Sequence, residues 1–193
     1  TELTVNFDNL FKNKTTFNDN INTWNTANII SMKAMFSGAS NFNQDISNWN
    51  TAKVSDVSEM FKDASSFNKD IKTDGDKWNT SLVTNMSSMF NGASNFNSNI
   101  INWDTSIVTN MIQMFNNANS FNQNIENWDI ANVVTVNNMF NGASTFNANV
   151  GKWTTTIITD MKAMFNNAAN FNQDISSWNT ANVTDMGEMF KNT

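Results

Sequence analysis

The side chains able to do chemistry in this sequence are few in kind and regular in place. Carboxylates recur in two series, Asp45, Asp70 and Asp174 in one and Asp56, Asp160 and Asp185 in the other. Methionines stand in pairs three residues apart, such as Met86/Met89 and Met161/Met164, and there are seven Trp and forty Asn. Two carboxylates roughly 5–9 Å apart across a cleft would suit glycoside hydrolysis. Stacked Asp would suit Ca²⁺, thioethers a soft metal, and a row of Trp rings a sugar. Cys and His are absent, and so are Arg, Pro and Tyr. A thiol nucleophile, a His-based triad and the usual Cys/His zinc sites are therefore excluded.

The spacing of these residues has a simpler cause. Trp24, Trp49, Trp78, Trp103, Trp128, Trp153 and Trp178 lie 25 residues apart, except for one interval of 29 between Trp49 and Trp78. Phe17, Phe42, Phe67, Phe96, Phe121, Phe146 and Phe171 follow the same schedule. Internal repeats of this length mark stacked units. Seven tandem repeats thus fill residues 17–193, starting at 17, 42, 67, 96, 121, 146 and 171. Residues 1–16 repeat only the second half of a unit, with Phe7, Leu10 and Phe11 in the apolar columns and Glu2 and Asp8 nearby, and read as a partial repeat or an N-terminal cap. The long interval is a four-residue insertion within residues 72–77, whose Asp74-Gly75 is turn chemistry.

Counted from the first Phe, the unit runs F-N-x-[DN]-I-x-x-W-[ND]-T-[AS]-x-V-[TS]-[DN]-M-x-x-M-F-x-[GN]-A-x-x. Positions 16, 19, 20 and 23, for example Met111, Met114, Phe115 and Ala118, have the i, i+3, i+4, i+7 spacing of a short helix. Gly38, Gly92 and Gly142 fall near its end, where a positive φ is useful. Position 5, Ile or Val, and position 13, Val or Ile, centre two short strand-like stretches. No unit can bury this apolar set alone, whereas a stack can, with its strands pairing in parallel at about 4.8 Å per repeat. The expectation is an α/β solenoid in which each repeat supplies short parallel strand segments and a short helix.

The segment Trp78–Ile100, and again Trp178–Phe190, follows the pattern W-[DN]-T-S-x-V-T-[DN]-M-x-x-M-F-x-x-A-x-x-F-N-x-D-I. It resembles the BspA-like leucine-rich-repeat proteins of bacterial surfaces, in the Trp/Met/Phe-rich, 25-residue form common in mollicute surface lipoproteins. The resemblance covers residues 17–193. It implies an LRR-like right-handed stack and an extracellular, cell-surface setting, anchored through a part of the protein not present in these 193 residues. It implies no single biochemical activity.

Against that frame the chemistry recedes. A Trp at one phase of every copy reads as a core ladder: Trp24, Trp49, Trp78, Trp103, Trp128, Trp153 and Trp178. Position 2 is Asn in all seven copies (Asn18, Asn43, Asn68, Asn97, Asn122, Asn147 and Asn172) and reads as an amide ladder bonding along the stack. The Asp series are scattered and lack the glycine-rich nonapeptide of calcium-binding solenoids, so they read as caps. No catalytic, cofactor or metal site is expected.

A net charge of −6 argues against a nucleic-acid partner, and no apolar run is long enough for membrane insertion by this segment. What departs from the repeat is a mildly apolar strip at positions 12 and 14, namely Leu82, Thr84, Ile107, Thr109, Val134, Ile157 and Thr159, together with the insertion at Asp74 and Gly75. These are the partner-binding candidates of a non-enzymatic module for adhesion or protein–protein interaction. The alternatives are a glycan-binding module, suggested by polar positions such as Gln123-Asn124 and Gln173-Asp174, and a structural spacer in a surface layer. The last copy is regular up to Phe190, so the chain reads as a fragment. Its end is expected to expose Phe171, Trp178, Met186 and Met189 and to favour end-to-end self-association.

Overall fold

The computed structural model describes residues 5–193; Glu2, counted above with the N-terminal half-unit, lies outside them. The chain winds as a stack of turn-rich rungs, one per repeat, but the expected α/β solenoid is not what forms. Among the described residues there is no helix, and the only strands are β1 (Val5–Asn6) and β2 (Ile29–Ser31), paired in parallel. Beyond them the ladder continues as one parallel pairing per rung at position 15, from Ser31 through Asp56, Asn85, Asn110, Thr135 and Asp160 to Asp185.

The helix fails because its backbone bonds leave the rung. In the first copy the amides of Met32, Ala34, Phe36 and Gly38 donate to the carbonyls of Asp56, Ser58, Met60 and Lys62 of the next copy, at 2.7–3.0 Å. Between these donors the chain makes four-residue turns, with Met35 N–H on the Met32 carbonyl and Ala39 N–H on that of Phe36. Such a zigzag needs two left-handed residues per rung. They fall at position 18 (Ala34, Glu59, Ser88, Gln113, Asn138, Ala163, Glu188) and position 22 (Gly38, Asp63, Gly92, Asn117, Gly142, Asn167, Asn192). Successive turns still point positions 16, 19, 20 and 23 inward, so the apolar spacing is the same as a helix would show.

The expected strands are cut short for a related reason. At position 15 the side chain of Asp56 accepts the N–H of Ser58 at 2.8 Å, and the residue at this position does the same in every copy, so the chain turns after a single ladder pairing. Position 4 forms the same turn in all seven copies, as in Asp45 to Ser47 at 2.9 Å, and no strand forms around position 5. Position 9 forms it in six, as in Asn50 to Ala52 at 3.0 Å. The carboxyls of Asp104 and Asp174 are held below their ordinary range by these bonds: for Asp104 the Ser106 hydroxyl first and then its N–H, for Asp174 the Ser176 N–H first and then its hydroxyl.

The core is a double column of phenylalanine. Within each turn the Phe at position 20 stacks on the next Phe at position 1, Phe115 on Phe121 at 3.9 Å and 9°. Along the stack Phe90, Phe115, Phe140 and Phe165 follow at 5.6–5.7 Å with planes within 8°. Near-parallel rings at 5.6–5.7 Å are offset, an arrangement favourable beyond area burial. Trp closes the third side. Trp49 through Trp178 are buried, and each indole N–H donates to the position-5 carbonyl of the preceding rung, Trp103 to Ile71 at 2.9 Å. Trp24, on the first complete rung, is exposed, so the expected core ladder of Trp begins at Trp49.

The N-terminal half-unit joins in register: the amides of Phe7, Asn9, Phe11 and Asn13 donate to Ser31, Lys33, Met35 and Ser37. On the last rung Phe171, Trp178 and Met189 stay buried, contrary to expectation, because Phe165 lies against both rings, at 3.8 Å from Phe171 and 6.1 Å from Trp178. Met186 and Phe190 are the exposed members.

Two measurements probe this anatomy. Glu59 is left-handed (φ 56°) and partly exposed. Glu59→Gly should therefore be more stable than Glu59→Ala by about 1 kcal/mol in urea denaturation, whereas a helix would give the opposite sign. Trp103→Ala removes a buried ring and its bond to the Ile71 carbonyl. It should cost about 3–5 kcal/mol in the same assay. An unchanged denaturation midpoint would mean that the Trp column does not hold the rungs together.

Candidate interaction surface

Column 13 points inward. Val83, Val108, Val133 and Ile158 are buried, and their neighbours on either side therefore face out. Leu82, Ile107, Val134 and Ile157 are 41–51 % exposed. Thr84, Thr109 and Thr159 are exposed beside them. Backbone bonds lock this strip rung by rung: Thr84 N–H donates to Ser55, Thr109 to Thr84, Val134 to Thr109 and Thr159 to Val134, at 2.9–3.2 Å. The four aliphatic side chains thus stand on consecutive rungs of a rigid ladder, with no charged residue among them.

Asp74 and Gly75 are exposed too, but they belong to another segment. The insertion closes on itself through paired bonds between Asp74 and Lys77 at 3.1 Å, with Gly75 at φ 61°. Asp76 accepts from Thr51 N–H, and Lys77 Nζ donates to Asn48. The protrusion borders a small polar depression of about 190 Å³ with Ser47, Asp70 and Lys72. The strip and the insertion are separated along the rung by the position-9 turn, so they are two surfaces rather than one.

The carboxylates are committed elsewhere. Asp45 caps Ser47 and accepts from Asn22 Nδ2 at 2.9 Å; Asp70 caps Lys72 and pairs with its amine at 3.2 Å. Among the described residues no three carboxylates gather as a metal site. Position-2 Asn form a continuous ladder in which each side-chain carbonyl accepts the backbone N–H of the next, at 2.8–3.0 Å from Asn18 to Asn172.

One surface feature escaped the reading of the sequence. Copy six carries Gly151 at position 6, where no other copy has Gly, and Thr154 at position 9, where the other six have Asn or Asp; its Lys152 at position 7 is matched by Lys77. Two depressions of about 460 and 420 Å³ lie on either side of this segment and share Lys152 and Thr154 in their lining. The signal was in the sequence as a departure from the repeat, but the insertion was the more visible one.

No curated protein and no solved structure matches the chain. A family model described as "Mycoplasma protein of unknown function, DUF285" matches residues 1–75, 71–155 and 122–193, three overlapping stretches that together span the whole sequence. The repeat architecture and the composition that serves it are therefore those of a family, and the chain belongs to DUF285.

Proposed function

We propose that the chain is a non-enzymatic module of a cell-surface repeat protein that presents its flat ladder face to a protein partner. The reading of the chain as part of a surface lipoprotein extends from its membership of a Mycoplasma repeat family. One observation carries the binding role: four aliphatic side chains, Leu82, Ile107, Val134 and Ile157, stand exposed on consecutive rungs of a backbone-locked face. Exposed aliphatic side chains gathered on one face, three at position 12 and Val134 at position 14, mark a site of protein contact. The stack does not require aliphatic residues in these columns, since other copies hold Asn28, Lys53 or Asn182 at position 12 and Ser55 or Thr184 at position 14, polar side chains that bond along the stack instead. Leu82→Ser, Ile107→Ser and Ile157→Ser combined should leave the melting temperature unchanged. The same variant should abolish binding of the purified protein to cultured epithelial cells, read by flow cytometry. Undiminished binding by this folded variant would reject the strip as the contact face.

End-to-end association of these 193 residues belongs to the same proposal. The last rung turns Met186 and Phe190 outward, and the amides of residues 186, 188, 190 and 192 occupy the donor columns that join every other pair of rungs. The first rung presents the matching carbonyl column from Asn6 to Lys12 with Leu10 exposed. Light scattering should show reversible, concentration-dependent growth that Phe190→Lys suppresses. A strictly monomeric parent at high concentration would contradict it.

A further inference from the structure

Glycine follows Asn or Asp three times in this chain, at Asn91-Gly92, Asn141-Gly142 and Asp74-Gly75. Such pairs are where a polypeptide can alter its own backbone. A glycine nitrogen has no Cβ beside it to hinder attack on the carbonyl carbon of the preceding side chain. From Asn the attack expels ammonia, and from Asp it expels water. A neutral amide is a better electrophile than an ionised carboxylate, so the sequence alone ranks both Asn-Gly pairs ahead of Asp74-Gly75. The stack reverses that order.

Both Asn-Gly peptide groups are clamped between rungs. The Asn91 carbonyl accepts the Asp63 N–H at 2.7 Å on one side, and the Gly92 N–H donates to the Asn116 carbonyl at 2.8 Å on the other. Asn141-Gly142 is held in the same way, by the Asn117 N–H at 2.7 Å and the Asn166 carbonyl at 2.8 Å. Attack requires the nitrogen to give up its proton and the peptide plane to turn toward the side chain. Here the proton is committed to a carbonyl and the plane is fixed at both edges. Reaction must wait until the rungs part, and bonds of a core ladder open only at a large share of the global stability. Asp74-Gly75 has no such clamp. Both residues are exposed, and nothing lies within 4 Å of the place a Gly75 Cβ would take. The Gly75 N–H donates to no group among the described residues. The backbone of the pair is tied only by the bonds between Asp74 and Lys77 inside the same short turn.

We infer that Asp74-Gly75 is a site of spontaneous backbone modification, where aspartate converts to isoaspartate while the stack silences the two Asn-Gly pairs. The Gly75 nitrogen forms a bond to Asp74 Cγ. Its proton and the carboxyl O–H leave together as water, and a five-membered succinimide ring remains. A second water then opens the ring. Addition at the former side-chain carbonyl restores aspartate. Addition at the former main-chain carbonyl leaves the chain running through Cγ, one methylene longer, with the carboxylate on Cα. No co-reactant other than water takes part. The product remakes the turn that carries the protrusion and moves one of the carboxylates bordering the depression with Ser47, Asp70 and Lys72. The amide ladder at positions 16 to 22 does not include this segment and is left intact.

The test incubates the 193-residue protein at neutral pH, folded in buffer and unfolded in guanidinium chloride. Residues 74, 91 and 141 are followed by peptide mapping with electron-transfer fragmentation, which separates isoaspartyl from aspartyl bonds. In the unfolded chain Asn91 and Asn141 should deamidate ahead of any change at Asp74. In the folded protein the order should invert. Isoaspartate should accumulate at residue 74, and deamidation of Asn91 and Asn141 should be slower than in the unfolded chain by about tenfold or more, because it waits on opening of the ladder. Asp74→Glu, whose longer side chain cannot close a five-membered ring, should keep the melting temperature and abolish isoaspartate in the peptide that contains the insertion. The proposal is overturned if Asn91 or Asn141 deamidates in the folded protein ahead of Asp74, or if folding slows isoaspartate formation at Asp74 as much as it slows deamidation of the two Asn.

Discussion

Everything in this molecule depends on where four backbone amides of each rung point. At positions 16, 18, 20 and 22 they are directed along the stack and, with the exception of Met111, find their carbonyls on the next repeat wherever one follows. An α-helix would have spent the same donors inside the repeat, four residues back. Sending them outward makes each rung incomplete without its neighbour, so the stack is the smallest unit in which the backbone is satisfied. It also dictates the left-handed residues at positions 18 and 22, because the chain must reverse its twist twice to present every second amide to the same side.

Side-chain choices follow from that backbone. Position 22 alternates along much of the stack, Asn13, Gly38, Asp63, Gly92, Asn117, Gly142, and each Gly sits where a Cβ would run into the side-chain oxygen of the Asn or Asp one rung earlier. Left-handed φ alone would tolerate Asn throughout, and where two Asn follow one another, at Asn167 and Asn192, the second amide donates to the first at 2.9 Å. The abundance of Asn has a similar origin. Positions 2, 4, 9 and 15 each need a short side chain with an oxygen acceptor for a backbone N–H, either one rung away or two residues on. Asn and Asp meet that geometry best.

Because the backbone and the inward columns are so heavily constrained, the outward columns are the only places free to vary. The aliphatic strip, the insertion at residues 72–77 and the altered outward positions of copy six are all departures of this kind, and none disturbs the ladder beneath it. A fold that holds itself together with repeated interior and backbone contacts can carry different surfaces on different sides of the stack.

The sequence by itself determined the repeat, its phase, the inward columns of Phe, Trp, Met and Val, the place of the insertion and the exclusion of Cys- and His-based chemistry. Those follow from spacing and composition, which survive any choice of backbone. Whether the Met-x-x-Met-Phe stretch would coil as a helix or zigzag as turns was not legible, because both place positions 16, 19, 20 and 23 on one side. Gly38, Gly92 and Gly142 correctly marked a positive φ, but they suit the end of a helix as well as the middle of a turn series. The second left-handed residue of each rung falls on Ala, Glu, Ser, Gln or Asn, types that announce nothing. Only the tertiary structure decided, because the partners of those amides sit on another repeat, 24 or 28 residues further along the chain. The depressions beside Lys152 and Thr154 were hidden for the same reason: each is lined by residues about 25 apart that become neighbours only when the rungs stack.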